Sequence, residues 1–455
     1  MKIIKGKGKL FLYAIAGLGV NMLNLIIGSY LCDALMIEGF EVQVESWTYL
    51  NKTLVVAGIW SIMIAIAKIL DGFIDIPLAG WTDKLKSRWG KRRPAILIGF
   101  VPMLIAYGLF LVVPQNAEHS LLNTIYFGVM LCVFYATYTL TMVTYYATFS
   151  EIVDNDKDRL RLSNYKTVFD VIYFVLGYAL IPMFVGNMNI RTIALLFMPL
   201  ALTMLIPLFM IKEKSTLDKD VKKEQEENPD TPKEEHVGIF KSFAYAMKNK
   251  SFIIWLVIYF VLQFSVQMFL TGQNVLYSGL VELSGMQIMV VMASAFAPVP
   301  FTLILYNKIV RKHGIKWGYM FSVLAYMLAM GVLALSSATI IPDVTTRMIL
   351  ACFGGVLSSF GTGCFFSINY TIPATLADIE KKKTGVSHPA MYFAVQGLFS
   401  GVATAISTGL VWVNLKGTAL WLVPLIIIAG CFVSVAITRY LPKEVNNIGK
   451  DKKDN

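Results

Sequence analysis

The stretch AKILDGFIDIPLAGWTDKLKSRWGKRRP (Ala67–Pro94) begins inside an apolar segment and ends in a cluster of bases. It places Lys68, Asp71 and Asp75 where a membrane span should run. The spacing i, i+3, i+7 puts all three on one helical face. An unpaired charge at the centre of a bilayer costs at least about 2.5–3.5 kcal/mol on insertion scales. Such a face is therefore predicted to look into a water-filled cavity or at a partner helix, not at lipid. Two carboxylates four residues apart can jointly ligate a hard cation, or one of them can hold a proton, and Lys68 can balance them when no cation is bound. The plainer alternative is a salt bridge that locks helices together.

The rest of the chain has the composition this stretch requires. Of 455 residues, 56% are hydrophobic and only 15% charged, and the mean hydropathy is +0.63. Soluble domains carry about a quarter charged residues, so an ordinary globular surface is excluded and a polytopic membrane protein is indicated. The net charge of +11 does not point to nucleic acid, because the bases sit in short clusters between apolar segments. Five cysteines (Cys32, Cys132, Cys352, Cys364, Cys431) are scattered with no CxxC and read as small hydrophobes. The N-terminal apolar stretch is too long for a signal h-region and reads as a retained first helix.

Apolar segments fall at 10–36, 54–82, 94–113, 121–150, 166–186, 192–212, 252–278, 286–310, 316–336, 346–377, 389–412 and 418–440. The fold class is thus an all-α membrane protein with 12 transmembrane helices. Bases concentrate at the N-terminus (Lys2, Lys5, Lys7, Lys9), in even-numbered loops such as Lys84–Arg93, and in the C-terminal KDKKDN. Odd-numbered loops are poor in them, which puts both termini in the cytoplasm. The polar stretch Lys212–His236 divides the chain. The expected units are residues 1–211 (six helices), 212–238 (a cytosolic linker), 239–441 (six helices) and 442–455 (a cytosolic tail). Residues 237–251 should lie on the membrane surface.

Other buried polar groups suggest a cavity lining. Asp170 follows Lys166 by four residues on one helix face. It forms either a bland i,i+4 pair or a coupling contact. Asn21 and Asn24 in span one, Tyr138, Thr139 and Tyr146 in span four, and Gln263, Gln267, Gln273 and Asn274 in span seven can contact a polar solute, as can Asn369 in span ten and Tyr392 and Gln396 in span eleven. Each alone is more often helix–helix glue. Enzyme motifs are missing: there is no HExxH, Walker loop or GxSxG.

The opening stretch resembles the signature of the glycoside–pentoside–hexuronide:cation symporter family, the melibiose-permease branch of the major facilitators. Lys68 matches the basic position, Asp71 and Asp75 the two acidic ones and Gly80 the glycine, while the proline is displaced to Pro77. SRWGKRRP matches the following loop. YTLTMVTYYATFSEIVDN (Tyr138–Asn155), RLSNYKTVF (Arg161–Phe169), PATLADI (Pro373–Ile379) and HPAMYFAVQGLFSG (His388–Gly401) resemble further family stretches in the same order. The resemblance implies a major facilitator fold of two six-helix halves, alternating access, and a cation site at Asp71, Asp75 and Thr139. It also implies a charge-balancing role for Lys68, an aromatic contact to the sugar at Tyr146, and a gating loop with Asp83, Arg88, Lys91 and Arg92. Three positions depart from the pattern. Met142 stands where an acid completes the cation site, Asn21 where an acid binds sugar, and Gly401 where a lysine couples the two.

The expected function is cation-coupled symport of a sugar, glycoside or sugar acid in a bacterial inner membrane. The protein is expected to be a monomer, not an enzyme, with no cofactor beyond the coupling ion, H⁺ or Na⁺. Fewer oxygen ligands favour a proton. The alternatives are the same fold carrying an amphipathic or other non-sugar solute, uncoupled transport, or a non-transporting sensor.

Overall fold

The computed structural model describes residues 4, 6–83, 85–153, 156–217, 247–384, 389–441 and 443–446. The side chains of Asp75 and Asp83 lie outside the described set, as does most of the expected linker and surface segment. Among the described residues the chain is helical, with no β-strand and one isolated bridge between Val185 and Met188.

Twelve long helical runs follow one another. They are α1 (Lys7–Ala34), α2 (Ala57–Asp83), α3 (Arg92–Phe110), α4 (Leu121–Glu151), α5 (Asp156–Val175, continuing to Phe184) and α6 (Ile190–Met210). After the undescribed stretch come α7 (Lys250–Leu280), α8 (Gly285–His313), α9 (Ile315–Leu335), α10 (Val344–Thr384), α11 (Met391–Leu415) and α12 (Leu422–Tyr440). Eleven of these are long and apolar enough to cross a membrane, and α5 supplies a shorter apolar stretch, Val168–Phe184. The reason lies in its sequence: the first turns of α5 are the charged DKDRLRLSNYK. α10 has 41 residues. At 1.5 Å per residue that is about 60 Å, twice a hydrocarbon core of about 30 Å, so this helix extends beyond a bilayer.

Local chemistry sets several boundaries. The Ser120 hydroxyl accepts from the Asn123 N–H at 3.3 Å and starts α4. Gly314 separates α8 from α9 with φ of 95°, a left-handed value that glycine adopts without a Cβ penalty. The three cysteines Cys32, Cys364 and Cys431 are buried among apolar side chains.

One end of the bundle carries the base-poor loops 35–56, 281–284 and 416–421, and the opposite end carries the basic loop 84–91. The first and last six helices meet toward the base-poor end. α2 crosses α11 so closely that a Cβ on Gly401 would lie 2.8 Å from the Gly72 Cα and 3.2 Å from the Lys68 carbonyl oxygen. Further along, the Ser61 hydroxyl donates to the Gly409 carbonyl, and Asn414 Nδ2 donates to Ser61 Oγ at 3.1 Å. Ser278 Oγ donates to the Val42 carbonyl at 3.2 Å, and the Gly285 N–H donates to Gln43 Oε1 at 2.8 Å. Tyr178 of α5 stacks on Phe296 of α8 with ring centroids 4.8 Å apart. π-helical turns occur near this end in α1 (Ile27–Leu31), α5 (Leu176–Leu180), α7 (Leu276–Leu280) and α11 (Ala405–Trp412). A widened turn re-aims the residues that follow it, and such turns often mark functional positions.

The α2–α11 crossing generates a direct prediction. Gly401→Val forces a side chain into backbone and should destabilise the purified protein by about 1–3 kcal/mol. Gly58→Ala, where a Cβ meets nothing within 4 Å, should leave its melting temperature unchanged.

Candidate functional site

The charged face of α2 turns toward α4. Thr139 Oγ1 donates to Asp71 Oδ1 at 2.6 Å. Lys68 Nζ sits over the Tyr135 ring, 3.9 Å from its centroid, a cation–π contact that compensates part of its lost hydration. Tyr135 and Thr139 are one helical turn apart, so α4 offers an aromatic face to the lysine and a hydroxyl to the carboxylate. Lys68 and Asp71 are both only half-buried. Asp75 follows on the same helix. A small cavity of about 10 Å³ to the centre of a water-sized sphere touches Lys68, Tyr135, Gly28, Asp33, Thr271 and Trp412. That is room for about one water.

A second cluster lies one residue along α4. Tyr138 OH donates to Asn21 Oδ1 at 3.0 Å, and Asn21 Nδ2 donates to Asp170 Oδ1 at 3.4 Å. Lys166 pairs with Asp170 through Oδ2, and its ammonium lies 4.9 Å from the Tyr146 centroid. The pair keeps side-chain exposures of 21% and 26%, so it is wet on one side. The bland i,i+4 pair is present, and it is also wired to α1 and α4. Asn21, Tyr138, Tyr146, Lys166 and Asp170 thus form one site, next to the Lys68–Asp71–Thr139 face.

The candidates of the last six helices are placed differently. Gln396 on α11 accepts from Trp255 Nε1 at 2.8 Å and donates to Asn369 Oδ1 at 2.7 Å and to the Asn369 carbonyl at 2.9 Å. Asn249 Nδ2 donates to the Tyr392 hydroxyl at 2.8 Å. Gln263 Nε2 donates to Thr404 Oγ1 at 3.2 Å, and Gln267 Nε2 to Thr271 Oγ1 at 3.3 Å. All but the Gln267–Thr271 bond, which lies within α7, tie α7, α10 and α11 to each other. Among the described residues, some buried acceptors nonetheless have no donor, such as the side-chain carbonyls of Asn24, Gln263 and Asn274.

The structure gives physical content to two of the departures. Met142 is buried, and a Cβ on Gly17 would lie 3.5 Å from its terminal methyl carbon. The position packs α4 against α1. At Gly401 the neighbouring backbone leaves no room for a lysine. In the basic loop Arg88 is exposed, Lys91 is half-buried and Arg92 is buried. Glu213, just after α6, accepts from the Arg92 and Arg93 N–H groups at 2.8 and 3.4 Å. It caps α3 with a carboxylate where the helix dipole favours one. Thr216 Oγ1 donates to the Leu85 carbonyl at 2.9 Å and accepts from the Ser87 N–H at 2.9 Å.

Sequence reading missed Asp33, Trp412 and Lys416, which meet at the base-poor end. The available signal was a lone ionisable residue at the edge of each apolar segment, YLCDALM and VWVNLKG.

Stability should separate scaffold from site. Gln396→Ala strands the Trp255 and Asn369 side chains and should cost about 1–3 kcal/mol, seen as a lower melting temperature of the purified protein. Asn24→Ala removes a carbonyl that has no donor and should stay within about 0.5 kcal/mol of the parent.

Among solved structures, the chain is similar to the nucleoside transporter NupG (14% identity, TM-score 0.60, covering 96% of this chain and 98% of that one). It is also similar to a POT family transporter (14%, 0.61, 96% and 95%) and to a bacterial homologue of the human lysosomal transporter Spinster (11%, 0.59, 98% and 98%). These likenesses show the fold. A curated relative, the uncharacterized symporter sll1374 of Synechocystis sp. (strain ATCC 27184 / PCC 6803 / Kazusa), is 28% identical over 113 residues, 24% of this chain and 21% of that protein. The match thus spans about a fifth of the relative's length. The family of MFS/sugar transport proteins matches residues 12–420. With that match over nearly all of a twelve-helix bundle, the chain belongs to the MFS/sugar transport protein family.

Proposed function

We propose that this protein is a cation-coupled symporter of a sugar or glycoside, working by alternating access in a bacterial inner membrane with its basic end in the cytoplasm. The observation that carries this reading is the hydrogen bond from Thr139 to Asp71, one turn from Lys68 and on the same face as Asp75. A hydroxyl and two carboxylates make an oxygen site for H⁺ or Na⁺. Lys68 competes with the cation for the same charge.

The polar lining supports an uncharged, hydroxyl-rich cargo. The donor-less carbonyls of Asn24, Gln263 and Asn274 suit hydroxyl donors, and Tyr146 offers an aromatic face. Asp170, bonded to Asn21, supplies the carboxylate that the family pattern has at position 21 itself. An amphipathic solute is the second reading. It is favoured by the C-terminal amides Gln396 and Asn369, which already satisfy each other.

The test is uptake by proteoliposomes with imposed pH or Na⁺ gradients, over a panel of neutral glycosides, uronides and amphiphiles. Gradient-driven accumulation of a neutral glycoside is expected, and Asp71→Asn or Asp75→Asn should reduce it at least tenfold. Thr139→Val should weaken the apparent cation affinity about tenfold, the equivalent of about 1.5 kcal/mol for a hydrogen bond to a charged group. Intact accumulation by both aspartate variants rejects the coupling assignment. Uptake of amphiphiles alone favours the second reading.

A further inference from the structure

The most deeply buried ion pair of the described residues lies beyond the cation face, toward the base-poor end. Asp33, in the last turn of α1, and Lys416, just beyond α11, are 2.8 Å apart with side chains 4% and 0% exposed. Lys416 Nζ also donates to the Asp33 carbonyl at 3.2 Å. Trp412 Nε1 donates to both carboxylate oxygens, at 3.0 and 3.2 Å. Asp33 belongs to the first six helices, and Trp412 and Lys416 to the last six. The pair therefore cannot survive separation of the two sets at the base-poor end. A buried charge deprived of its partner is strongly destabilised, so opening that end needs a substitute for Lys416.

Lys68 is placed to be that substitute. It lies on the same set of helices as Asp33, and both line the small cavity that Cys32, Tyr135 and Trp412 complete. Gly28 borders this cavity, where a Cβ would lie 3.3 Å from the Tyr135 hydroxyl and 3.9 Å from Lys68 Nζ. Asp33 is five residues further along α1 and lines the same cavity as Lys68. A long, flexible lysine side chain can swing its ammonium across a cavity while its stem stays packed.

We propose that Asp33 latches the base-poor end and exchanges one lysine for another: Lys416 when that end is shut, Lys68 when it opens. The exchange would draw Lys68 away from Asp71 as the site opens to that side, leaving the carboxylates ready for a cation. This last consequence rests on the cation-site reading above, whereas the latch itself does not.

Cys32, 6% exposed and adjacent to Asp33, reports the state of the gate. In a background with Cys132, Cys352, Cys364 and Cys431 changed to alanine, the impermeant thiol reagent methanethiosulfonate-ethyltrimethylammonium is added to intact cells without any imposed gradient. Lys416→Met is expected to raise the rate of Cys32 labelling at least tenfold, and Lys68→Met to lower it by a similar factor. The charge swap D33K/K416D re-forms the closed pair but leaves Lys68 no carboxylate to take up, so it should label no faster than the parent. A pair of unchanged rates in K416M and K68M, or a swap that labels like K416M, overturns the proposal. Should K416M fail to reach the membrane, D33N/K416M leaves no lone charge buried. It should label fast, and adding K68M should change nothing; a further change on adding K68M overturns the exchange. Because labelling is read without a gradient, a failure of Asp71→Asn to affect coupled uptake leaves these outcomes untouched.

Discussion

A charge carried into a bilayer on an apolar helix must find a partner or water, and this requirement organises the protein. It is met here in three ways. Asp33 and Lys416 form a dry pair, closed by the Trp412 indole. Lys166 and Asp170 form a half-wet pair extended by Asn21 and Tyr138. Lys68 rests on an aromatic face beside Asp71, whose carboxylate takes a hydroxyl from Thr139. All three lie on α1, α2, α4, α5 and α11. Apolar residues such as Phe301, Ile304 and Leu328 are left exposed on the outside of the bundle.

Close packing decides which charges the interface can hold. Gly72 and Gly401 let α2 and α11 touch backbone to backbone, and the contact fills the space that a lysine on α11 would need. Met142 does the same between α4 and α1, against Gly17. Asp170 lies within hydrogen-bond distance of Asn21, so α1 and α5 are joined by a polar contact. Close-packed interiors tolerate little added volume, so packing limits which charges such positions can hold.

The polar side chains of the last six helices show the opposite economy. Gln396, Asn369, Trp255, Tyr392 and Asn249 are bonded to each other or across helices. In lipid such bonds supply helix association that the hydrophobic effect cannot. The interior polar chemistry is therefore unequal: charges belong mostly to the first half, and the second contributes amide acceptors such as Gln263 and Asn274.

Most of the architecture was legible in the chain. Apolar segments of membrane-spanning length, the polar break after residue 211 and the i, i+3, i+7 spacing of Lys68, Asp71 and Asp75 are local properties, read without knowing what packs against what. The Lys166–Asp170 pair was legible for the same reason, since helical periodicity alone sets its distance. The partners across the bundle were not. Nothing in the spacing says that Asp33 meets Lys416, 383 positions later, that Lys68 turns to Tyr135, or that Gly401 is a contact and not a vacancy. Those choices depend on how helices distant in sequence cross, and a crossing is settled by the summed packing of many side chains. The sequence by itself determined which helices carry charge and on which face. Only the tertiary structure decided which charges face each other, because partnership is a property of the interface and not of any one helix.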